Sequence, residues 1–165
     1  SRRQRQMCIR DRYNINARSN MLFGSMLAGK AFANSPVAAV HALAYPIGGL
    51  FNISHGLSNS LVLPSVMKFN SINEETKKNY ANLAPYVFKD LDNSNSDEIV
   101  CNNFIDSLES LSKELKLPYR LRDLEIPEEA CQLMASEAMK QTRLLVNNPR
   151  KIEAVSYTHL RAHET

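Results

Sequence analysis

Apolar residues recur along this chain three and four positions apart, and nowhere alternate with polar ones over the length of a strand. The best-patterned segment follows Ser96, where Ile99, Val100, Phe104, Leu108, Leu111 and Leu115 fall near helical spacing until Leu117-Pro118-Tyr119 breaks it. Ser71-Ile72-Asn73-Glu74 has the S-x-x-E form of a capping box and predicts a helix to about Leu83, just before Pro85. Leu91 to Ser96 reads as a polar loop. Pro127 suits a first helical position, and Glu128 and Glu129 place negative charge where the helix dipole favours it. That helix is expected to run through Leu144-Leu145 and stop at Asn147-Asn148-Pro149.

The first third of the chain is more uniformly apolar. From about Asn20 to Ala33 the residues are small and hydrophobic, with Gly24 and Gly29 permitting close backbone packing, as in a buried core helix. A phosphate-binding loop would need a preceding strand and GxGxxG spacing, and neither occurs. A second apolar helix covers Val37 to Tyr45, and a further one opens at His55-Gly56 and runs through Val66. Leu61-Val62-Leu63 has strand propensity, but its setting favours helix. There is no internal repeat and no low-complexity segment, so the expected fold class is all-α, a helical bundle-like domain.

Composition alters this picture mainly at the ends. A length of 165 residues with a net charge of +3 suggests one mildly basic domain. The positive charge is concentrated in residues 1–12, where Arg2, Arg3, Arg5, Arg10 and Arg12 face only Asp11. Residues 1–11 (SRRQRQMCIRD) and 155–165 (VSYTHLRAHET) both read as translations of transposase-type sequencing-library adapters, with Arg12 as a junction codon. Three segments are therefore expected: tails at 1–12 and 155–165 around a helical metal-binding domain at 13–154, which by itself carries a net charge of −1. The basic arm then gives no ground for nucleic-acid binding. Cys8 lies in a tail, while Cys101 and Cys131 stand alone at apolar helix positions as expected buried thiols. No apolar run approaches the ~20 residues of a membrane span and no signal peptide is visible, so a cytoplasmic protein without membrane partners is expected.

The candidate chemistry is a histidine pair. His41 and His55 are 14 residues apart, which on one straight helix would separate them by about 21 Å. Between them Pro46 cannot continue a regular helix and Gly48-Gly49 frees the backbone to reverse, so the segment reads as helix, tight return, helix. Such a return can bring both imidazoles to one metal ion, for which neutral imidazole is a preferred ligand. The plainer reading is a core histidine satisfied by a carbonyl, and two ligands alone do not complete a site. No HxxE or HExxH partner accompanies the pair. Tyr45 lies one turn after His41 on the same face, either lining the pocket or packed with its hydroxyl at the surface. Asn52, Ser54, Asn59 and Ser60 read as turn and capping residues, and the acidic residues from Asp97 to Glu114 as a solvated helix face.

The stretch from Ala33 to Pro64, ANSPVAAVHALAYPIGGLFNISHGLSNSLVLP, with its His spacing and its H-G-x-x-N element (His55, Gly56, Asn59), resembles the histidine signature of iron-containing (group III) alcohol dehydrogenases. The similarity extends over about 14–154, including Leu145-Val146-Asn147-Asn148-Pro149-Arg150. The resemblance implies the C-terminal domain of the dehydroquinate synthase-like, iron alcohol dehydrogenase fold. In that family an ion, Fe2+ or sometimes Zn2+, is held by one Asp and three His, and His41 and His55 match the last two. The Asp, the first His and the nucleotide-binding domain are then expected upstream, with the chain truncated at both ends and inactive alone. The family often has a further His where Tyr45 stands. A phenol with a pKa of about 10 is a poor neutral-pH proton shuttle, so Tyr45 carries over only as a pocket residue. The implied activity of the complete enzyme, expected to be a homo-oligomer, is oxidation of a small alcohol to an aldehyde or ketone, or the reverse. The ion acts as a Lewis acid while hydride passes to or from NAD or NADP. Two other readings remain open here: a non-enzymatic helical interaction module, and a related zinc-dependent polyol dehydrogenase.

Overall fold

A computed structural model of the chain describes residues 14–153. Among these residues there is no strand. Seven α-helices and one 3-10 turn follow in order: α1 (Ile15–Asn34), α2 (Ala39–Phe51), α3 (His55–Asn70), α4 (Glu74–Val87), α5 (Asp97–Glu114), the 3-10 turn (Leu121–Leu124), α6 (Ala130–Met139) and α7 (Thr142–Leu145). The chain divides after Val37 into two units. The expected tails at 1–12 and 155–165 lie outside the described residues.

In the first unit, α1 starts earlier than the apolar run suggests because Asn14 caps it, its side-chain oxygen accepting from the Ala17 N–H at 2.9 Å. No residue of α1 is buried, and Leu22 and Phe23 are 73% and 60% exposed. The expectation of a buried core helix is therefore not met. Apolar residues are spread around the whole helix, and the described residues of this unit supply no second layer to cover them. A Cβ on Gly24 or Gly29 would meet nothing within 4 Å, so neither glycine mediates a close approach.

The second unit is organised around α3, which is apolar on several sides. Met67, with Leu63 beside it, packs against Ala81 and Ala84 of α4 and Val100, Cys101, Phe104 and Ile105 of α5. Val66 joins Ala39 of α2, Ala138 of α6 and Ile152. Leu61 and Val62 meet Ile47 of α2, Ile126 and Met134. These three clusters place α3 between α4 and α5 on one side and α2 and α6 on the other.

Several boundaries differ from the sequence reading. The helix holding His41 does not stop at Tyr45; it continues through Pro46, Gly48 and Gly49 to Phe51. Pro46 forfeits one ladder hydrogen bond, but Pro46 and Ile47 are buried, and that packing offsets the local cost. Likewise α3 continues past Val66 and through Pro64 to Asn70, and α4 through Pro85 to Val87. The capping box expected at Ser71 is replaced by Asn73, whose side chain accepts from the Thr76 N–H at 2.9 Å, while Ser71 closes α3. The α5 helix begins after Ser96 as expected, although the Ser96 side chain makes no cap bond. The single helix expected from Pro127 to Leu145 is two, α6 and α7, broken at Lys140 and Gln141. Of the two cysteines expected to be buried, Cys101 is and Cys131 is half-buried.

The end of the second unit is fastened to α3 by a polar clamp. Buried Asn70 donates to Asn148 Oδ1 at 3.1 Å and accepts from Asn148 Nδ2 at 2.7 Å. Asn148 Nδ2 also donates to the Arg150 carbonyl at 2.6 Å, and Arg150 Nη1 donates to the Phe69 carbonyl at 3.0 Å. The Arg150 guanidinium lies 4.0 Å over the Phe69 ring. Asn148→Ala leaves the Asn70 oxygen buried without that donor, and is expected to lower unfolding stability by about 1–3 kcal/mol. A denaturation midpoint no lower than wild type in urea would show that the clamp contributes nothing.

Candidate functional site

The site is built by the corner between α2 and α3. The reversal uses three residues, 52–54, and not the Pro46–Gly49 stretch expected from sequence. Asn52 provides it by adopting the left-handed conformation (φ 55°, ψ 32°), which asparagine tolerates better than most side chains. The connection then runs back along α2. A Cβ on Gly48 would stand 3.2 Å from the Ile53 carbonyl, so the glycine's value here is close approach of two backbone segments. Fully buried Ser58 secures the start of α3, its hydroxyl donating to the Ser54 carbonyl at 3.1 Å.

This path brings three rings together. The His41 and His55 ring centres are 5.1 Å apart, tilted by 56°. Tyr45 stands 6.4 Å from His41, edge to face, and 6.1 Å from His55. His41 is half-buried, His55 exposed and Tyr45 43% exposed. For comparison, with metal–nitrogen bonds of about 2.1 Å, two imidazoles on one ion have ring centres roughly 5 Å apart. Burial, and secondarily the neighbouring His55, pushes the pKa of His41 below the ordinary 6.5. The ring therefore stays neutral, the form that coordinates metals, to lower pH than a free imidazole.

Among the described residues no group of three or more His, Cys, Asp and Glu side chains could hold an ion. The described residues bring two imidazoles to the corner, with the Tyr45 phenol beside them. Asn59, which the sequence offers both as a turn or capping residue and as the Asn of the H-G-x-x-N element, adds a contact to the site. Its Nδ2 lies 3.0 Å from His55 Nε2. The signal was its place four residues after His55, one turn along the same helical face. Ser54 and Asn52 are turn residues, as expected, and Ser60 donates to the Leu57 carbonyl at 2.9 Å.

Fold and site together define an all-helical domain with a histidine pair at a helix–return–helix corner. The Fe-containing alcohol dehydrogenase family, C-terminal part, matches residues 3–160, and the chain belongs to that family. It is 35% identical over 138 residues to 1,3-propanediol dehydrogenase of Citrobacter freundii, a match covering 84% of this chain and 35% of that protein. It is 39% identical over 136 residues to long-chain-alcohol dehydrogenase 1 of Geobacillus thermodenitrificans, covering 81% of this chain and 33% of the relative. The chain thus spans about a third of the length of these relatives. The crystal structure of a 1,3-propanediol oxidoreductase superimposes with a TM-score of 0.83 at 30% identity, over 93% of this chain and 39% of the other. The alcohol dehydrogenase from Oenococcus oeni gives 0.84 at 28% identity, over 94% and 39%. No helix among the described residues is long and apolar enough to cross a membrane.

Proposed function

We propose that His41 and His55 are two ligands of a divalent metal centre in an NAD- or NADP-dependent alcohol dehydrogenase, with Tyr45 lining the pocket beside them. The observation that carries this reading is the 5.1 Å approach of the two rings, achieved by a return that places them far closer than their separation in sequence. The donor set fits the group, since two neutral imidazoles suit Fe2+ and Zn2+ alike. The family membership and the alcohol- and aldehyde-directed names of the relatives support a small-molecule alcohol or aldehyde as substrate, with chain length left open by names that run from propanediol to long-chain alcohols.

When bound, the ion supplies Lewis acidity toward an alcohol or carbonyl oxygen. The residues of this chain hold and shield it. Apolar neighbours in α2 partly desolvate His41, which favours the neutral form of that ring. Tyr45 borders the same space with a phenol able to donate one hydrogen bond. The remaining ligands and the nucleotide-binding part are proposed to lie in sequence that precedes residue 13 in the complete enzyme. The tails at 1–12 and 155–165 are proposed to play no part.

Titration of the 165-residue chain with Zn2+, followed by NMR of the imidazole resonances, tests the reading. One ion per chain is expected to shift the His41 and His55 rings together. Zn2+ that leaves both rings unmoved at millimolar concentration overturns it.

A further inference from the structure

We propose that the cavity between the end of α4 and the start of α5 binds a small organic cation, an alkylammonium or alkylguanidinium ion, with Tyr86 and Pro85 against its body and the Asp97 carboxylate balancing its charge. The site shares no residue with the histidine corner, and the proposal does not depend on the metal reading.

The cavity holds about 420 Å3, within the roughly 300–1,000 Å3 usual for small-molecule sites. Its floor is Ala81 and Val100, both buried in the cluster that joins α4 to α5, so the core fixes the two walls. On the α4 wall, Asn82 and Tyr86 stand one turn apart with Pro85 beside them. Asn93 and Asp97 form the other wall. The loop that carries Asn93 is fastened by Asp92. Its Oδ1 accepts from the Ser94 N–H at 2.9 Å and the Ser94 hydroxyl at 2.6 Å, and its Oδ2 accepts from Asn95 Nδ2 at 2.9 Å. The bonds from Ser94 hold the Asp92 carboxyl below the ordinary carboxylate range, so it is charged at neutral pH.

Among the described residues, the side chains of Asn82, Tyr86, Asn93 and Asp97 make no hydrogen bond, ion pair or ring contact with one another or with a further residue. All four are therefore available to a ligand, and together they select its charge. An ionised carboxylate only accepts, the two carboxamide oxygens accept as well, and the face of a phenol ring attracts positive charge. No cationic side chain lines the cavity, and residues 88–98 carry Asp90, Asp92, Asp97 and Glu98 against Lys89 alone. An anion is repelled there, and a neutral molecule forgoes the attraction of the carboxylate. A cation with N–H donors and a short apolar body answers every group.

NMR of the Tyr86 ring during titration of the 165-residue chain with butylguanidinium chloride tests the proposal, with butanol as the neutral molecule of the same chain length. Butylguanidinium is expected to bind saturably at millimolar concentration, moving the Tyr86 ring and the Asn82 and Asn93 NH2 resonances, while butanol leaves Tyr86 unmoved. Asp97→Asn, which keeps the shape and removes the charge, and Tyr86→Leu, which keeps apolar bulk and removes the ring, are each expected to weaken binding by about 2–5-fold. Both side chains are exposed, so the urea midpoint of either variant should stay near that of the parent chain. No saturable shift of Tyr86, an equal shift with butanol, or unchanged affinity in both variants overturns the proposal.

Discussion

His41→Ala lowers the affinity of the chain for Zn2+ by at least about 100-fold, more than loss of a residue that only supports a ligand. The size follows from what remains. With His41 gone, the corner offers a single exposed imidazole, His55, no better than a histidine on any protein surface. His55→Ala leaves the mirror situation, a half-buried His41 without its partner ring. The two losses are therefore not additive: the double variant binds hardly more weakly than either single one. A double-mutant cycle measured by calorimetry isolates this coupling. Single variants that each lose only a few-fold, with effects that add, would show that the rings act separately and that no shared ion exists. Neither substitution should disturb the fold, because both rings stand at the edge of the α2–α3 corner and neither belongs to an apolar cluster.

Phe104→Ala has the largest expected effect on folding, about 3–5 kcal/mol. Phe104 is 3% exposed in the cluster that joins α3, α4 and α5, and meets Phe88 edge to face with ring centres 6.0 Å apart. Removing it forfeits the transfer energy of the ring, the contacts lining the resulting cavity and about 0.5–1.5 kcal/mol of aromatic pairing. Guanidinium unfolding should show a lower midpoint at unchanged slope. Tyr86 provides the contrast: it is 84% exposed, so Tyr86→Ala should shift the midpoint little. Equal losses for the two variants would mean that the α4–α5 cluster is not the stabilising core.

The all-helical character was legible wherever one helical face carried a clear stripe. The α5 helix shows this best, since Val100, Phe104 and Leu108 are spaced to share one face, and that face enters the cluster formed with α3 and α4. Errors came where a local rule met a tertiary contact. Pro46, Pro64 and Pro85 each signal an end by their own chemistry, yet all three lie inside helices. Pro46 is buried, and Val66 and Met67 beyond Pro64 are core residues, so packing further along the segment outweighs one missing backbone bond. The opposite error concerns α1. Its composition suits a buried helix, but burial is a property of neighbours, and composition cannot supply them.

The histidine pair divides along the same line. The sequence by itself determined that two imidazoles flank a segment able to reverse, and its likeness to a known signature pointed to metal and alcohol chemistry. It also contained the i, i+4 spacings that set Tyr45 beside His41 and Asn59 beside His55, because helical periodicity is a local property of the chain. Only the tertiary structure decided where the reversal falls, at Asn52 in the left-handed region with Gly48 accepting the returning backbone. That placement sets the 5.1 Å between the rings. It depends on the energy of packing α2 and α3 around Ile47, Leu61 and Val62, contacts between residues distant in sequence whose sum no single residue reveals.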